Sequence, residues 1–256
     1  IKIEFNIKIF TYYQFNNVMA EDELLQSFLS LNINDSEKDN AIKIQKCIRG
    51  YFSRKKYLPL ILYTIKNYLL SKNIDFSKEN DDGRINSCID ESNIIDLLTQ
   101  KFGDKIKKPK IRMWYDILAY DNLYGWIPIN IKTTTTSTND NTGNLAMCVF
   151  AYTNQKLDFN KTYNNGKMSK ILSEKLKQKK YNYNYKKDYF FLVLNKNNIN
   201  DIIINSTKGL SELTANINNL PFQVCWNKNR IFKYTNITEC INKFIKCIQK
   251  PEPSWQ

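Results

Sequence analysis

An α/β fold, with one central mixed β-sheet flanked by helices and an N-terminal helical module ahead of it, follows from three observations. Residues 91–103 carry a helical apolar period that closes on Gly103. Two alternating runs, 111–120 and 126–134, are joined by the turn residues "DNLYG". Further apolar strand runs, 145–153, 188–195 and 201–205, are interrupted by a basic helical stretch at 168–180. Helix, hairpin, strand, helix and strands in that order suit a sandwich around one mixed sheet.

Residues 1–18, "IKIEFNIKIFTYYQFNNV", alternate like a strand and lack a secretory cleavage site. Met19 then opens "MAEDELLQSFLSL" like a natural start, so 1–18 read as an upstream extension and carry no functional weight here. Residues 19–75 form the helical module. It has a short amphipathic helix over 21–32, a polar linker over 32–40, and a long helical segment from about Ala41 to Leu70 that bends near Pro59. The run "YLPLILYTIKNYLL" (57–70) is too interrupted by Pro59, Lys66 and Asn67 to span a bilayer and reads as a core helix. A second linker, 71–83, leads into the main domain, 83–250.

Within that domain Glu91 or Ser92 starts the first helix and Lys101 sits in its last turn. Residues 134–144, "TTTSTNDNTGN", read as a flexible polar loop, 210–220 as a short helix or loop, 221–229 as a strand, and 236–250 as a terminal helix.

The chain has 256 residues, 42% of them hydrophobic, enough for one core with an appendage or for two small domains. Lys and Arg outnumber Asp and Glu by 38 to 25, and the net charge of +13 attracts polyanions. There is no histidine, and the six cysteines form no CxxC pair. Zinc-finger ligand sets, Cys/His dyads and histidine general bases are therefore excluded. Cutting nucleic acid would fall to carboxylates, a lysine and a divalent metal. The scattered cysteines suggest an intracellular compartment, and no apolar run suggests a membrane.

Glu91, Asp116 and Lys132 form the constellation best suited to that chemistry. A hard cation held by oxygens polarises a phosphodiester and acidifies a water, while a lysine orients the nucleophile and neutralises developing charge. Adjacent strand ends hold such groups rigidly. Lys132 follows Asp116 by 16 residues, a spacing that fits neighbouring hairpin strands.

Four segments, "GRINSCIDES", "WYDILAY", "INIKTT" and "NLPFQVCWNKN", carry a resemblance to the PD-(D/E)xK nuclease superfamily, type II restriction endonucleases above all. The resemblance runs from about Gly83 to Trp226. It implies a restriction-endonuclease-like sheet and hydrolysis of DNA with Mg²⁺ or Mn²⁺. Glu91 (Asp90 as alternate) and Asp116 would hold the metal, and Lys132 would position the water. Asn130 stands where the motif carries a carboxylate; its amide oxygen can ligate Mg²⁺, but more weakly. A homodimer would cut both strands of double-stranded DNA.

Thr133, Thr134, Asn139 and Asn141 are candidate DNA contacts, as are Lys179 and Lys180 in the lysine–tyrosine run 175–189. Asn227, Lys228 and Arg230, with Lys233, complete that set. For the polar loop a plain surface role is the simpler reading; for the lysine–tyrosine run a solvated helix end is an equal alternative.

A second signal belongs to another class. "IQKCIRGYFSRKKY" (44–57) is a complete IQ pattern, with Ile44, Gln45, Arg49, Gly50, Arg54 and Tyr57 in place. Such a basic amphipathic helix offers apolar anchors to calmodulin or another EF-hand light chain. It implies the cytoplasm or nucleus of a eukaryotic cell, or a virion or virus-infected cell. Two further readings thus stand beside the nuclease: an IQ adaptor, and a basic DNA-binding protein without chemistry.

Overall fold

The computed structural model describes residues 58–77, 81, 83–110, 112–216 and 221–248. These lie in one of two compact units, Lys56–Gln256. The expectations for 1–18, for the 21–32 helix and for the IQ segment 44–57 lie outside the described residues.

Five strands make the central sheet. They are β1 (Ile106–Lys107), β2 (Ile117–Asp121), β3 (Gly125–Thr134), β5 (Phe190–Asn195) and β6 (Asn198–Ser206), in the order β1-β2-β3-β5-β6. All neighbours are antiparallel except β3 and β5, which run parallel with Asn130 opposite Phe191 and Lys132 opposite Val193. A parallel pair requires a long crossover. It is supplied by α3 (Leu145–Tyr152) and α4 (Asn165–Lys177). A separate two-stranded sheet pairs β4 (Asn139–Asn141) with β7 (Gln223–Cys225).

The pleat divides the core. Ile127, Ile129 and Ile131 of β3 join Ile117, Ala119, Leu192 and Leu194 on one face, under α1 (Leu60–Leu70) and α2 (Gly83–Phe102). Leu118, Phe191, Val193 and Ile203 belong to the opposite face, with α3, α4 and α5 (Ile237–Ile248). Such alternation fixes register, because a slip of one residue would exchange the faces. Removing a fully buried leucine such as Leu62, Leu98 or Leu192 would cost about 2–5 kcal/mol.

The mixed sheet flanked by helices agrees with the sequence-based fold class, but several local expectations are corrected. The run 145–153 is a helix rather than a buried strand. Asn144 caps it, accepting from Met147 N at 2.8 Å. With the sheet on one side and helices on the other, the helix is buried on every side, which erases its 3.6-residue period. The first hairpin strand begins at Ile117, leaving Asp116 just ahead of it, although Asp116 N still donates to Ile129 O at 3.0 Å. Helix α2 starts at Gly83, so Glu91 lies mid-helix instead of at its N-terminus. Segment 134–144 holds β4 and is tied by Asn227 N donating to Thr136 O at 3.0 Å.

Helix α1 shares the apolar core of α2 and the sheet, so this unit's core includes residues assigned from sequence to the N-terminal module. Asp121, buried at the end of β2, explains the attachment. Its Oδ2 accepts from Ile61 N at 3.1 Å, while Oδ1 accepts from Leu123 N and Tyr124 N in the hairpin turn. Gly125 closes that turn with φ +70°, a conformation in which a Cβ is strained. Gly103, at φ +51°, ends α2 as expected. No helix among the described residues is long and apolar enough to cross a membrane.

Candidate active site

Asp116, Asn130 and Lys132 lie on one face of the β2–β3 hairpin. The ladder ends with Ile117 opposite Ile129; Asp116, just ahead of it, donates from N to Ile129 O and is joined to Asn130 by a side-chain bond, and Lys132 is two residues beyond Asn130 on β3. Asn130 Nδ2 donates to Asp116 Oδ2 at 2.7 Å, and Ile131 N donates to the same oxygen at 2.7 Å. Asn130 Oδ1 is buried without a hydrogen-bond partner.

The irregular segment ahead of β2 is held by its neighbours. Trp114 O accepts from Asn144 Nδ2 and from Tyr189 Oη, each at 3.0 Å. The cap of α3 and the residue before β5 thus anchor the backbone at Trp114, two residues ahead of Asp116. Neither Asn144 nor Tyr189 carries a local signal for the site in the sequence; reading 145–153 as a strand hides the helix-capping position of Asn144.

Glu91 reaches the same site from α2. Burial pushes its carboxyl up to about 7; Lys132 and the Thr133 backbone oppose this, while the charges of Asp116 and Asp140 reinforce it. Asp116 is also raised, first by burial, against the Ile131 N–H and the Lys132 charge. Two half-buried carboxylates, one lysine and a stranded amide oxygen therefore share one electrostatic neighbourhood. Asp140, which accepts from Trp226 Nε1 at 3.1 Å, was not foreseen; it arrives on β4, the strand hidden in a stretch that reads as loop.

Asp90, the alternate to Glu91, is spent elsewhere. It is 2% exposed, accepts from Ser77 N at 2.8 Å and meets Lys196 Nζ at 3.3 Å.

The candidate DNA contacts divide. Thr133 is 4% exposed and its hydroxyl is enclosed, so it supports the site through its backbone. Thr134 is half-buried and its carbonyl accepts from Lys196 N. Asn139 is exposed, whereas Asn141 Oδ1 accepts from Asn216 Nδ2 and Gln223 Nε2. Asn227 Oδ1 accepts from Thr136 Oγ1 and Arg230, and Arg230 grips Asp201 through two bonds of 2.7 and 2.9 Å. Lys228 pairs with Glu212 at 3.1 Å. Lys179 and Lys180 are exposed in the turn after α4 and are not among the groups whose charge acts on Glu91 or Asp116.

Among the described residues no group of three or more His, Cys, Asp or Glu side chains stands close enough to hold a metal ion. A hard cation would depend on Asp116, Glu91 and the Asn130 amide oxygen. That donor set fits Mg²⁺, which commonly keeps several waters and takes only one or two carboxylates.

The fold and this site define an α/β-sheet protein with an acid–lysine constellation on a β-hairpin. Residues 38–58 match the IQ calmodulin-binding motif family. No curated protein and no solved structure matches the chain.

Proposed function

We propose that this chain is a metal-dependent DNA endonuclease of the PD-(D/E)xK type. The carrying observation is that Asp116, Asn130 and Lys132 share one hairpin face, with Glu91 in electrostatic reach from the facing helix. A mixed sheet flanked by helices supports this reading at the level of fold class.

The residues take distinct parts. Asp116, held by two N–H donors on one oxygen, keeps its other oxygen for a cation, and Glu91 and Asn130 Oδ1 complete the set. A bound Mg²⁺ or Mn²⁺ supplies Lewis acidity and a more acidic water. Lys132 orients the attacking water and offsets the charge that grows on the phosphoryl oxygens. The water oxygen bonds to phosphorus and the P–O3′ bond breaks. The products are a 5′-phosphate and a 3′-hydroxyl, the latter taking up a proton. Cutting of both strands calls for a homodimer.

Incubation of the purified protein with unmethylated plasmid and Mg²⁺ tests the reading. Nicking or linearisation by wild type, absent in Lys132→Ala, supports it. An inactive wild type, or equal cutting by the variant, refutes it.

The IQ match favours a second reading: the chain recruits calmodulin or another EF-hand light chain through Ile44, Gln45, Arg49, Gly50, Arg54 and Tyr57. On this reading the chain works inside a eukaryotic or virus-infected cell. Co-migration with calmodulin on a sizing column, with and without Ca²⁺, is the measurement. Failure to co-migrate, or complexes unaffected by Gln45→Ala with Arg49→Ala, would remove this reading.

A further inference from the structure

Residues 156–187 contain ten lysines against two acids, Asp158 and Glu174. The structure gathers part of this charge at one place. Lys187, in the segment before β5, donates from Nζ to Thr153 O at 3.0 Å and Gln155 O at 2.7 Å, and is thereby pinned beside the loop after α3. Burial brings its ammonium down to about 8, and the positive charges of Lys208, Lys156 and Lys175 act in the same direction. Three chain segments, the loop after α3, the end of α4 and the approach to β5, thus bring lysines together. The partners of Lys187 are carbonyl oxygens rather than carboxylates.

Two features beside the cluster identify what would neutralise it. Tyr181 and Tyr183 have ring centroids 6.2 Å apart, and Tyr183 is 67% exposed. A hollow of about 420 Å³ between the 155–163 loop and α4 has Lys156, Lys161 and Lys167 around Leu157, Met168 and Ile171, with Asp158 also lining it 3.8 Å from Lys161. The large hydrophobic side chains exposed in this region are tyrosines, Tyr183 and Tyr185, whereas a membrane-seeking face would carry aliphatic anchors or tryptophan and phenylalanine. Clustered lysines neutralise phosphates, and exposed tyrosine rings offer stacking platforms to unpaired bases.

We propose that this face binds a single-stranded nucleic-acid tract, its phosphates on Lys156, Lys175, Lys179 and Lys180 and an unpaired base on Tyr183. The inference rests on the nucleic-acid substrate proposed above, but not on catalysis. Lys179 and Lys180 continue the cluster from the turn that leaves α4, where the Lys180 carbonyl accepts from Asn154 N at 3.0 Å.

The test is fluorescence anisotropy of a labelled oligothymidine and of a duplex of equal length, titrated over a range of salt. Wild type should prefer the oligothymidine. The triple variant Lys156→Gln, Lys175→Gln, Lys180→Gln should lower the salt slope for the single strand by about 2, at about 0.7 per phosphate contact. Tyr183→Ala should weaken it about tenfold, within the range of one base–aromatic stack. Both variants should keep the wild-type thermal melt. Unchanged slope and affinity in both variants, or a wild type that prefers duplex, overturns the proposal. Binding without plasmid cleavage removes only the catalytic reading, while absence of binding to either oligonucleotide removes both.

Discussion

Asn130 donates its amide N–H to Asp116 Oδ2 at 2.7 Å, so the residue that occupies a motif's acidic position serves here as a hydrogen-bond donor to the neighbouring carboxylate. The same oxygen takes a second bond from Ile131 N. An aspartate in its place would lose the donor and set two carboxylates against each other, raising the pKa of one of them. Asn130→Asp should destabilise the metal-free protein by about 1–3 kcal/mol. With millimolar Mg²⁺ or Mn²⁺ the loss should shrink or reverse, and plasmid cleavage should accelerate. Thermal melts with and without the cation decide it: an equal shift in both conditions would show that no cation binds between these residues.

Lys132 stands on the same strand face as Asn130, and its charge opposes the burial of both carboxylates. Lys132→Ala should reduce cleavage by about 10²–10³-fold, the scale for one electrostatic donor to a transition state. Duplex affinity measured with Ca²⁺ in place of Mg²⁺ should change little. A parallel fall in both would assign Lys132 to binding rather than to chemistry.

How far the sequence reached depends on the range of the signal. The alternation of 126–134 and the turn before it are local, and they place Asn130 and Lys132 on the second strand of a hairpin, whereas Asp116, expected inside the first strand, falls just ahead of it. The Asp116–Asn130 side-chain bond then joins them across the start of the hairpin. Helix α3 was misread because its residues are buried all round, and a short continuous apolar run does not distinguish strand from helix. Asp140, Tyr189 and Asn144 reach the site through long-range contacts whose pairing no local pattern encodes. Arg230 looked free for phosphate because its partner Asp201 lies 29 residues away in sequence.

Asp188 gives a pH dependence with a definite sign. It is 3% exposed, accepts from Ser206 Oγ at 2.6 Å and from Tyr189 N at 2.8 Å, and burial raises it from 3.8 to about 6. The Lys208 charge and these hydrogen bonds only partly oppose the shift. The folded state therefore holds the proton more tightly than the unfolded chain. Its contribution is greatest below pH 3.8, declines as pH rises towards 6 and is flat beyond, by on the order of 2–3 kcal/mol in all. Urea midpoints across pH 4–7 should show this decline in wild type and a shallower one in Asp188→Asn, where the raised carboxyls of Glu91 and Asp116 still contribute. Parallel profiles would mean that the carboxylate does not carry the effect.

Gly209 tests the packing between the end of β6 and the segment before α5. A Cβ there would lie 2.1 Å from Phe232 Cδ2 and 2.6 Å from Asn205 Oδ1. Neither neighbour is free to retreat: Phe232 packs against the apolar cluster under α1 and α2, and Asn205 Nδ2 is bonded to Asn229 O at 2.6 Å. Backbone bonds fix the glycine as well, since its N–H donates to Ser206 Oγ at 3.1 Å and its carbonyl accepts from Lys233 N at 2.9 Å. Gly209→Ala should therefore destabilise by about 2–3 kcal/mol, the upper range for overpacking a filled site. In a unit of this size that lowers the melting temperature by about 4–10 °C. Gly166→Ala is the control, because its added Cβ meets only the Asn164 side-chain oxygen, at 3.2 Å, on an exposed helix start. Equal melting shifts in the two variants would show that the Phe232 contact is not close-packed.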